Sequence, residues 1–331
     1  MEVSDIENLP RPPGIINSIK AGFDAIAAHI TSILLPLALN LFLWLGPRLR
    51  METLFNSLES NLMSVWQQSG QMSAENIQQT LEAYKQMSQS VNLFSVVRTL
   101  PIGISRLFMP TQADFATPLG LPANLQVTGL SLPLWLIALT FIGWVGGALY
   151  FRNVAWAVYA GKIAALPVFR AIVQSVLLSI LFNMVLTAIA IPVMLIIFVA
   201  SRISLVLGNL VVLFMAFGSV WVIVPLFFWA HGVFLNRQNV FTSMLSSIQL
   251  TRFTLPTSSL FVLTVFLLAY GLNVLWRMPA QDSWLTLFGI FGHAFVTTAL
   301  LAASFIYYHD MTLWVQAALE KLRLNKIVKQ A

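Results

Sequence analysis

The stretch AIVQSVLLSILFNMVLTAIAIPVMLIIFVASRISLVLGNLVVLFMAFGSVWVIVPLFFWAHGVFL, residues 171–235, carries one formally charged side chain, Arg202. A helix crosses the hydrocarbon core of a bilayer with about 20 consecutive apolar residues. Residues 171–200 and 203–235 both exceed that length, and the serines at 201 and 204 allow a tight turn between them. Two such runs in succession read as two membrane spans. Tilt, a bend or an interfacial extension takes up their excess length, and Pro192 and Pro225 can supply a kink.

Four further stretches meet or approach the same requirement: 25–45, 130–151, 257–276 and 284–308. The expected fold is therefore all-α, a polytopic transmembrane bundle of six spans. Composition agrees. Of 331 residues 58% are hydrophobic and 9% charged, whereas a soluble domain carries about 25% charged residues. That balance excludes a soluble enzyme, a disordered tail and a nucleic-acid-binding module, and makes the lipid bilayer the first partner. With no cysteine in the chain, disulfides, thiolate catalysis, iron–sulfur ligation and sulfur-linked lipid anchors are excluded. The first 13 residues hold Glu2, Asp5, Glu7 and three prolines without a basic region ahead of an apolar one, so no secretory signal is expected there.

The net charge of +6 serves as an orientation signal, because cytoplasmic loops are enriched in Lys and Arg. With the N-terminus placed in the cytoplasm, the inner segments hold Arg11, Lys20, Arg152, Lys162, Arg170, Arg237, Arg252, Lys321, Arg323, Lys326 and Lys329. The two short outer loops hold Arg202 and Arg277. Both termini are then cytoplasmic. Trp44, Trp135, Trp276 and Trp284 fall at outer span ends, and Trp229, Tyr307 and Tyr308 at inner ends, as interfacial aromatic belts do.

Each odd-numbered span follows an amphipathic stretch of the kind that lies in the interface. The apolar stripes are Ile15, Ile16, Ile19, Phe23 and Ile26; then Trp156, Tyr159, Ile163 and Leu166; then Val240, Phe241, Met244, Leu245 and Ile248, closed by Pro256. The chain thus divides into 1–151, 152–236 and 237–310, with a basic tail at 311–331. Duplication of one unit and ordinary inner-surface linkers both account for that pattern. Residues 46–129 interrupt the first unit. Met51, Leu54, Phe55, Leu58, Leu62, Val65 and Trp66, then Ile77, Leu81, Tyr84, Met87, Val91 and Phe94, recur at helical spacing. They suggest an extracytoplasmic helical hairpin, with Ser73 as N-cap and Glu75 in the first turn. From residue 100 to 129 prolines and glycines suggest an extended connector. A hairpin without its own core needs something to cover it: the bundle, the membrane surface or a protein partner.

Inside the spans no Asp, Glu, Lys or Arg lies deep, which argues against a carboxylate-dependent ion-coupled carrier. Asn40, Asn183, Asn209 and Asn273 suit interhelical hydrogen bonds or a polar substrate path. His293 suits a hydrogen-bonded core position, and haem ligation or proton relay is its sharper alternative. Gly143 and Gly147 form a G-x-x-x-G suited to close helix packing. Asp24, His29, His231, His309 and Asp310 should lie at similar depth near the inner face. There they could bind a divalent metal or a phosphate headgroup if their helices adjoin, or simply mark where spans leave the membrane. No catalytic or cofactor motif is present: neither H-E-x-x-H, P-loop, G-x-S-x-G nor paired cysteines.

Residues 10–50, PRPPGIINSIKAGFDAIAAHITSILLPLALNLFLWLGPRLR, combine an amphipathic helix, a proline-containing span with a polar residue, and a Leu-Gly-Pro-Arg exit. This segment resembles the opening of an uncharacterised group of bacterial polytopic membrane proteins. The resemblance implies a bacterial cytoplasmic membrane and no particular activity. Three functions fit the sequence. The first is a non-enzymatic scaffold or accessory component of a membrane process. The others are a permease-like subunit for an apolar or amphipathic substrate, and a lipid-modifying enzyme using the inner-face His and Asp residues.

Overall fold

A computed structural model describes residues 12–56, 78–83, 91–96, 99–108, 115–159 and 165–328, without the side chains of 96 and 322–328. The described chain is helical almost throughout: α1 (Ile15–Ala28), α2 (Leu34–Leu45), a short α3 (Leu93–Val96), α4 (Leu132–Val158), α5 (Val168–Ile203), α6 (Leu205–Gly218), α7 (Val220–Leu235), α8 (Val240–Trp276) and α9 (Thr286–Val328). Five helical stretches are long and apolar enough to cross a membrane, with α6 and α7 counted as one, and the bent pair α1–α2 raises the number to six. The protein is an integral, multi-pass membrane protein of the all-α class.

The expected first span, 25–45, is not straight. Its two halves meet at 96°, joined by a 3-10 turn at Ile30–Ile33. Pro36 supplies a physical reason. It has no N–H for the carbonyl four residues back and its ring crowds that turn, which favours a helix start just before it. The chain accordingly leaves α1 at His29 and restarts a helix at Leu34.

The bundle is built around α9. At 43 residues it extends about 64 Å, roughly twice the hydrocarbon thickness, so the sixth span and the start of the basic tail form one rod. Helix α1, the expected amphipathic helix, packs on the middle of that rod. A Cβ at Gly22 would stand 2.5 Å from the Ala299 carbonyl oxygen and the Ala303 nitrogen, and Phe23 meets Phe295 edge to face at 5.9 Å. In α1, Ser18, Gly22 and Ile26 are buried and Ile15, Ile19 and Phe23 pack against the main core, so the apolar stripe turns inward apart from Ile16, which is 81% exposed.

The stripe that opens α8 behaves differently. Thr254 departs from helical geometry, two residues before Pro256, dividing the helix at the expected boundary. The half before the kink buries Ser243, Ser247, Leu250 and Thr251 and exposes Phe241, Leu245 and Ile248. Ser243 Oγ donates to the Trp229 carbonyl and Ser247 Oγ to the Pro225 carbonyl, each at 2.6 Å. Small and hydroxyl residues let backbones approach within a membrane, while bulky apolar ones face lipid as readily as protein. A stripe that sinks into a lipid surface and one that faces lipid from a span look alike in sequence. Among the described residues, the stretch around Trp156 is part of α4. Trp156 continues α4, Tyr159 caps it and Leu166 is buried, while Ile163 lies outside the described residues.

The bundle has two distinguishable faces. On the first, Trp44 meets Trp284 at 6.0 Å and donates from Nε1 to the Gln281 carbonyl. There strands β1 (Arg48–Arg50) and β2 (Asn124–Gln126) pair in parallel, Leu49 opposite Leu125, and close the neck of the 46–129 insertion. On the second, Tyr159 meets His309 at 5.2 Å. Much of the expected hairpin, including Leu58, Leu62, Val65, Trp66, Ser73, Glu75, Ile77, Tyr84 and Met87, lies outside the described residues. Within the described part, 52–56 and 78–83 are helical.

Replacing Gly22 with Leu forces side-chain atoms into the α9 backbone, an overpacking that costs about 1–3 kcal/mol or more. Thermal unfolding of the purified protein should give a clearly lower Tm for Gly22→Leu, whereas Ile16→Ala on the same helix should unfold like the parent.

Candidate functional site

The expected connector beginning at residue 100 does not remain on the first face. Residues 99–108 enter the bundle as non-helical chain, pass beside α4 and return toward Trp44 and Ile290. Ile102 is fully buried and belongs to the main core with Ala148, Phe151 and Phe305. The glycines of α4 make room for it. A Cβ at Gly143 would stand 2.9 Å from Thr99 Cγ2, and one at Gly147 would stand 2.9 Å from the Ile102 carbonyl oxygen. The G-x-x-x-G therefore receives an extended chain, not a second helix.

Non-helical backbone inside a membrane bundle leaves N–H and C=O groups without ladder partners, at several kcal/mol each in hydrocarbon. Asn40 supplies partners. Fully buried on α2, it accepts from the Leu107 N–H at 2.7 Å through Oδ1 and donates from Nδ2 to the Ser105 carbonyl at 3.2 Å and the Pro36 carbonyl at 2.8 Å. These partners fix the amide orientation, since each N–H meets an oxygen. Arg277 Nε donates to the Leu107 carbonyl. Thr99 Oγ1 donates to the Ile102 carbonyl at 2.8 Å. Burial lowers the Arg277 pKa from the ordinary guanidinium value. His293, 1% exposed, lies beside the Ser105 carbonyl and Arg277, and neither of its ring nitrogens makes a hydrogen bond.

The segment parts two apolar cavities. The first, of about 410 Å³, lies between α2 and α4 and meets Thr99, Gly103, Ile104 and Arg106. The second, of about 460 Å³, lies among α5, α7, α8 and α9 and meets Leu100, Pro101 and Ser105 from the opposite side. His231 and Ser304 line the second cavity, joined Nε2 to Oγ at 2.8 Å. The Ser304 hydroxyl also lies 2.7 Å from the Leu301 carbonyl of its own helix.

The remaining polar positions do not join this site. Asn183 donates to the Ser179 carbonyl of its own helix and lies in a shallow groove beside Trp144. Asn209 is exposed, and Asn273 is half-buried with its Oδ1 unpartnered. Of the five His and Asp positions, His231 is inside the bundle, His309 is beside Tyr159, His29 is beside Trp156 at 5.8 Å, Asp24 is exposed and Asp310 half-buried. No three metal-ligating side chains come together among the described residues. Sequence reading found Asn40, Gly143, Gly147 and His293 but not what unites them. The signal was the apolar run Leu100, Pro101, Ile102, Gly103, Ile104, too short to span, in a segment that also faces the glycine-rich helix.

Replacing Asn40 with Leu leaves the Leu107 N–H and the Ser105 carbonyl without that partner, at about 1–3 kcal/mol for each buried group. The expected result is a lower Tm together with faster maleimide labelling of Ser105→Cys, which is the only thiol in this cysteine-free chain. Unchanged labelling would mean that Asn40 does not hold the segment. Comparison of the chain with protein-family models, with curated proteins and with solved structures found no match.

Proposed function

We propose that the protein is a permease-like membrane component that binds and moves an apolar or amphipathic molecule. One observation carries the reading: a non-helical segment runs through the bundle interior and separates two apolar cavities. Backbone of that kind is tolerated at membrane depth where protein buries it or where it lines a cavity, and broken helices accompany substrate sites in transporters. Helix α2, which follows the 96° break, carries the Asn40 that bonds the same segment. Volumes near 410 and 460 Å³ fall within the usual range for small-molecule sites, about 300–1,000 Å³. Their walls are mainly hydrocarbon, so the cargo is mainly hydrocarbon too.

The distribution of Lys and Arg supports cytoplasmic termini, so that the first face and the 46–129 insertion look outward, and the resemblance of residues 10–50 adds the expectation of a bacterial cytoplasmic membrane. A protein partner would meet the molecule through that insertion. No ATP-binding motif is present, so movement follows a gradient or depends on a separate ATPase. The geometry favours this reading over an accessory role, which needs no cavity. It also favours it over a lipid-modifying enzyme, which would need the inner-face His and Asp residues to converge.

The test is transfer of a fluorescent single-chain lipid across liposomes containing the purified protein. The parent should transfer it faster than protein-free liposomes. Ala269→Trp, which fills the second cavity, should slow transfer about tenfold, the effect of roughly 1.4 kcal/mol of lost favourable interaction. Equal rates with and without protein would remove the permease reading and return the molecule to an accessory role.

A further inference from the structure

The second cavity presents polar groups without Asp, Glu, Lys or Arg among its described lining residues. Its polar side chains are Ser105 on the inserted segment, His231 on α7, and Thr297 and Ser304 on α9, and the rest of its lining is apolar. Three of these four side chains are already engaged inside the bundle: His231 Nε2 and Ser304 Oγ bond each other at 2.8 Å, and Thr297 Oγ1 donates to the His293 carbonyl at 2.7 Å. Ser105 differs. Its carbonyl is held by Asn40, but its half-buried hydroxyl has no hydrogen-bond partner among the described residues.

Backbone geometry accounts for the difference. A serine in a helix can return its hydroxyl proton to the carbonyl three or four residues back, as Ser175 does to the Ala171 carbonyl at 2.7 Å. Residues 99–108 are not helical, so that arrangement is lost to Ser105. Its hydroxyl keeps one proton to donate and two lone pairs to offer, beside walls of hydrocarbon where an unmatched polar group is costly. Leu186 on α5, Ile223 on α7 and Phe266 on α8 belong to the same lining and are exposed on the surface of the bundle, so the cavity opens toward lipid. The Phe227 and Phe266 rings lie 6.1 Å apart in its wall. An ionic head would leave water there for a lining without a counter-charge, whereas an uncharged oxygen needs one hydrogen bond.

We propose that the cavity among α5, α7, α8 and α9 binds an uncharged single-chain amphiphile, its head oxygen on the Ser105 hydroxyl and its chain along Leu186, Phe227 and Phe266. The assignment rests on the reading of the cavities as amphiphile sites and adds the character of the head and the residue that holds it. An alcohol and an ester carbonyl share the required chemistry.

Binding of hexadecanol, methyl palmitate, hexadecane, hexadecyl sulfate and hexadecyltrimethylammonium to the full-length protein in nanodiscs tests it. The alcohol and the ester should bind about three- to tenfold more tightly than hexadecane, the worth of one hydrogen bond. They should bind at least roughly tenfold more tightly than the sulfate or the ammonium, whose permanent charges meet no counter-charge. The tighter of alcohol and ester identifies the head. Ser105→Ala removes no hydrogen bond of the fold and should bring both to the hexadecane level while leaving hexadecane unchanged, and Ser105→Thr should keep part of the preference. Ala269→Trp, which fills the same cavity, should weaken the alcohol, the ester and hexadecane alike. Charged ligands bound as tightly as the alcohol and the ester, or alcohol and ester binding indifferent to Ser105→Ala or to Ala269→Trp, overturns the assignment but leaves the permease reading standing. Failure of every ligand to bind overturns both.

Discussion

A polypeptide that enters a hydrocarbon environment without helical geometry must find a partner for every polar backbone group. That constraint organises the interior of this molecule. Residues 99–108 bring carbonyl and amide groups into the bundle, and Asn40, Arg277 and Thr99 answer them. A leucine at position 40 would suit the hydropathy of the span and fail the segment beside it. An asparagine costs the span some apolar character and returns three hydrogen bonds, two of them to the same intruding strand.

Close approach is the second condition. Gly143 and Gly147 admit the segment to α4, and Gly22 admits α1 to the α9 backbone. Gly289 and Gly292 do the same for Trp276, whose carbonyl and ring occupy the space where their Cβ atoms would be. These glycines work by what they lack. In a medium as apolar as the side chains themselves, packing contacts and hydrogen bonds hold helices together where the hydrophobic effect does not. The long α9 rod can therefore serve as the common neighbour of α1, α2, α4, α7 and α8 because small residues such as Ala294, Ala299, Ala302 and Ala303 lie buried along it.

Hydropathy made the class of fold and the approximate spans legible, since length and composition alone decide whether a helix can cross a bilayer. It placed a helix boundary near Pro256 and the turn near Arg202, where proline and a polar interruption act locally. It marked the inward face of α1 but not that of α8. In water an apolar stripe marks the buried side, but in lipid Phe241 and Leu245 are as stable facing outward, so the stripe loses its meaning. Nor did it reveal the path of residues 99–108. Their proline and glycine content says only that no regular element forms, while their destination depends on Asn40, some 65 positions away. Gly143 and Gly147 were recognised as a packing surface, yet the same two residues accommodate a helix or a strand, and only the partner distinguishes them.

The shortage of charge in the spans also takes on a different meaning. Counting Asp, Glu, Lys and Arg within membrane helices measures what those helices bring with them. Here Arg106 arrives on a segment inserted from the first face, and Arg277 sits at the end of α8, bonded to that segment's backbone. Histidine is supplied by α7 and α9, at His231 and His293. The spans remain apolar, and the guanidinium beside the first cavity is carried by the segment between them. A bundle of this design keeps the cost of charge out of its helices and still presents a guanidinium beside a hydrocarbon-lined site.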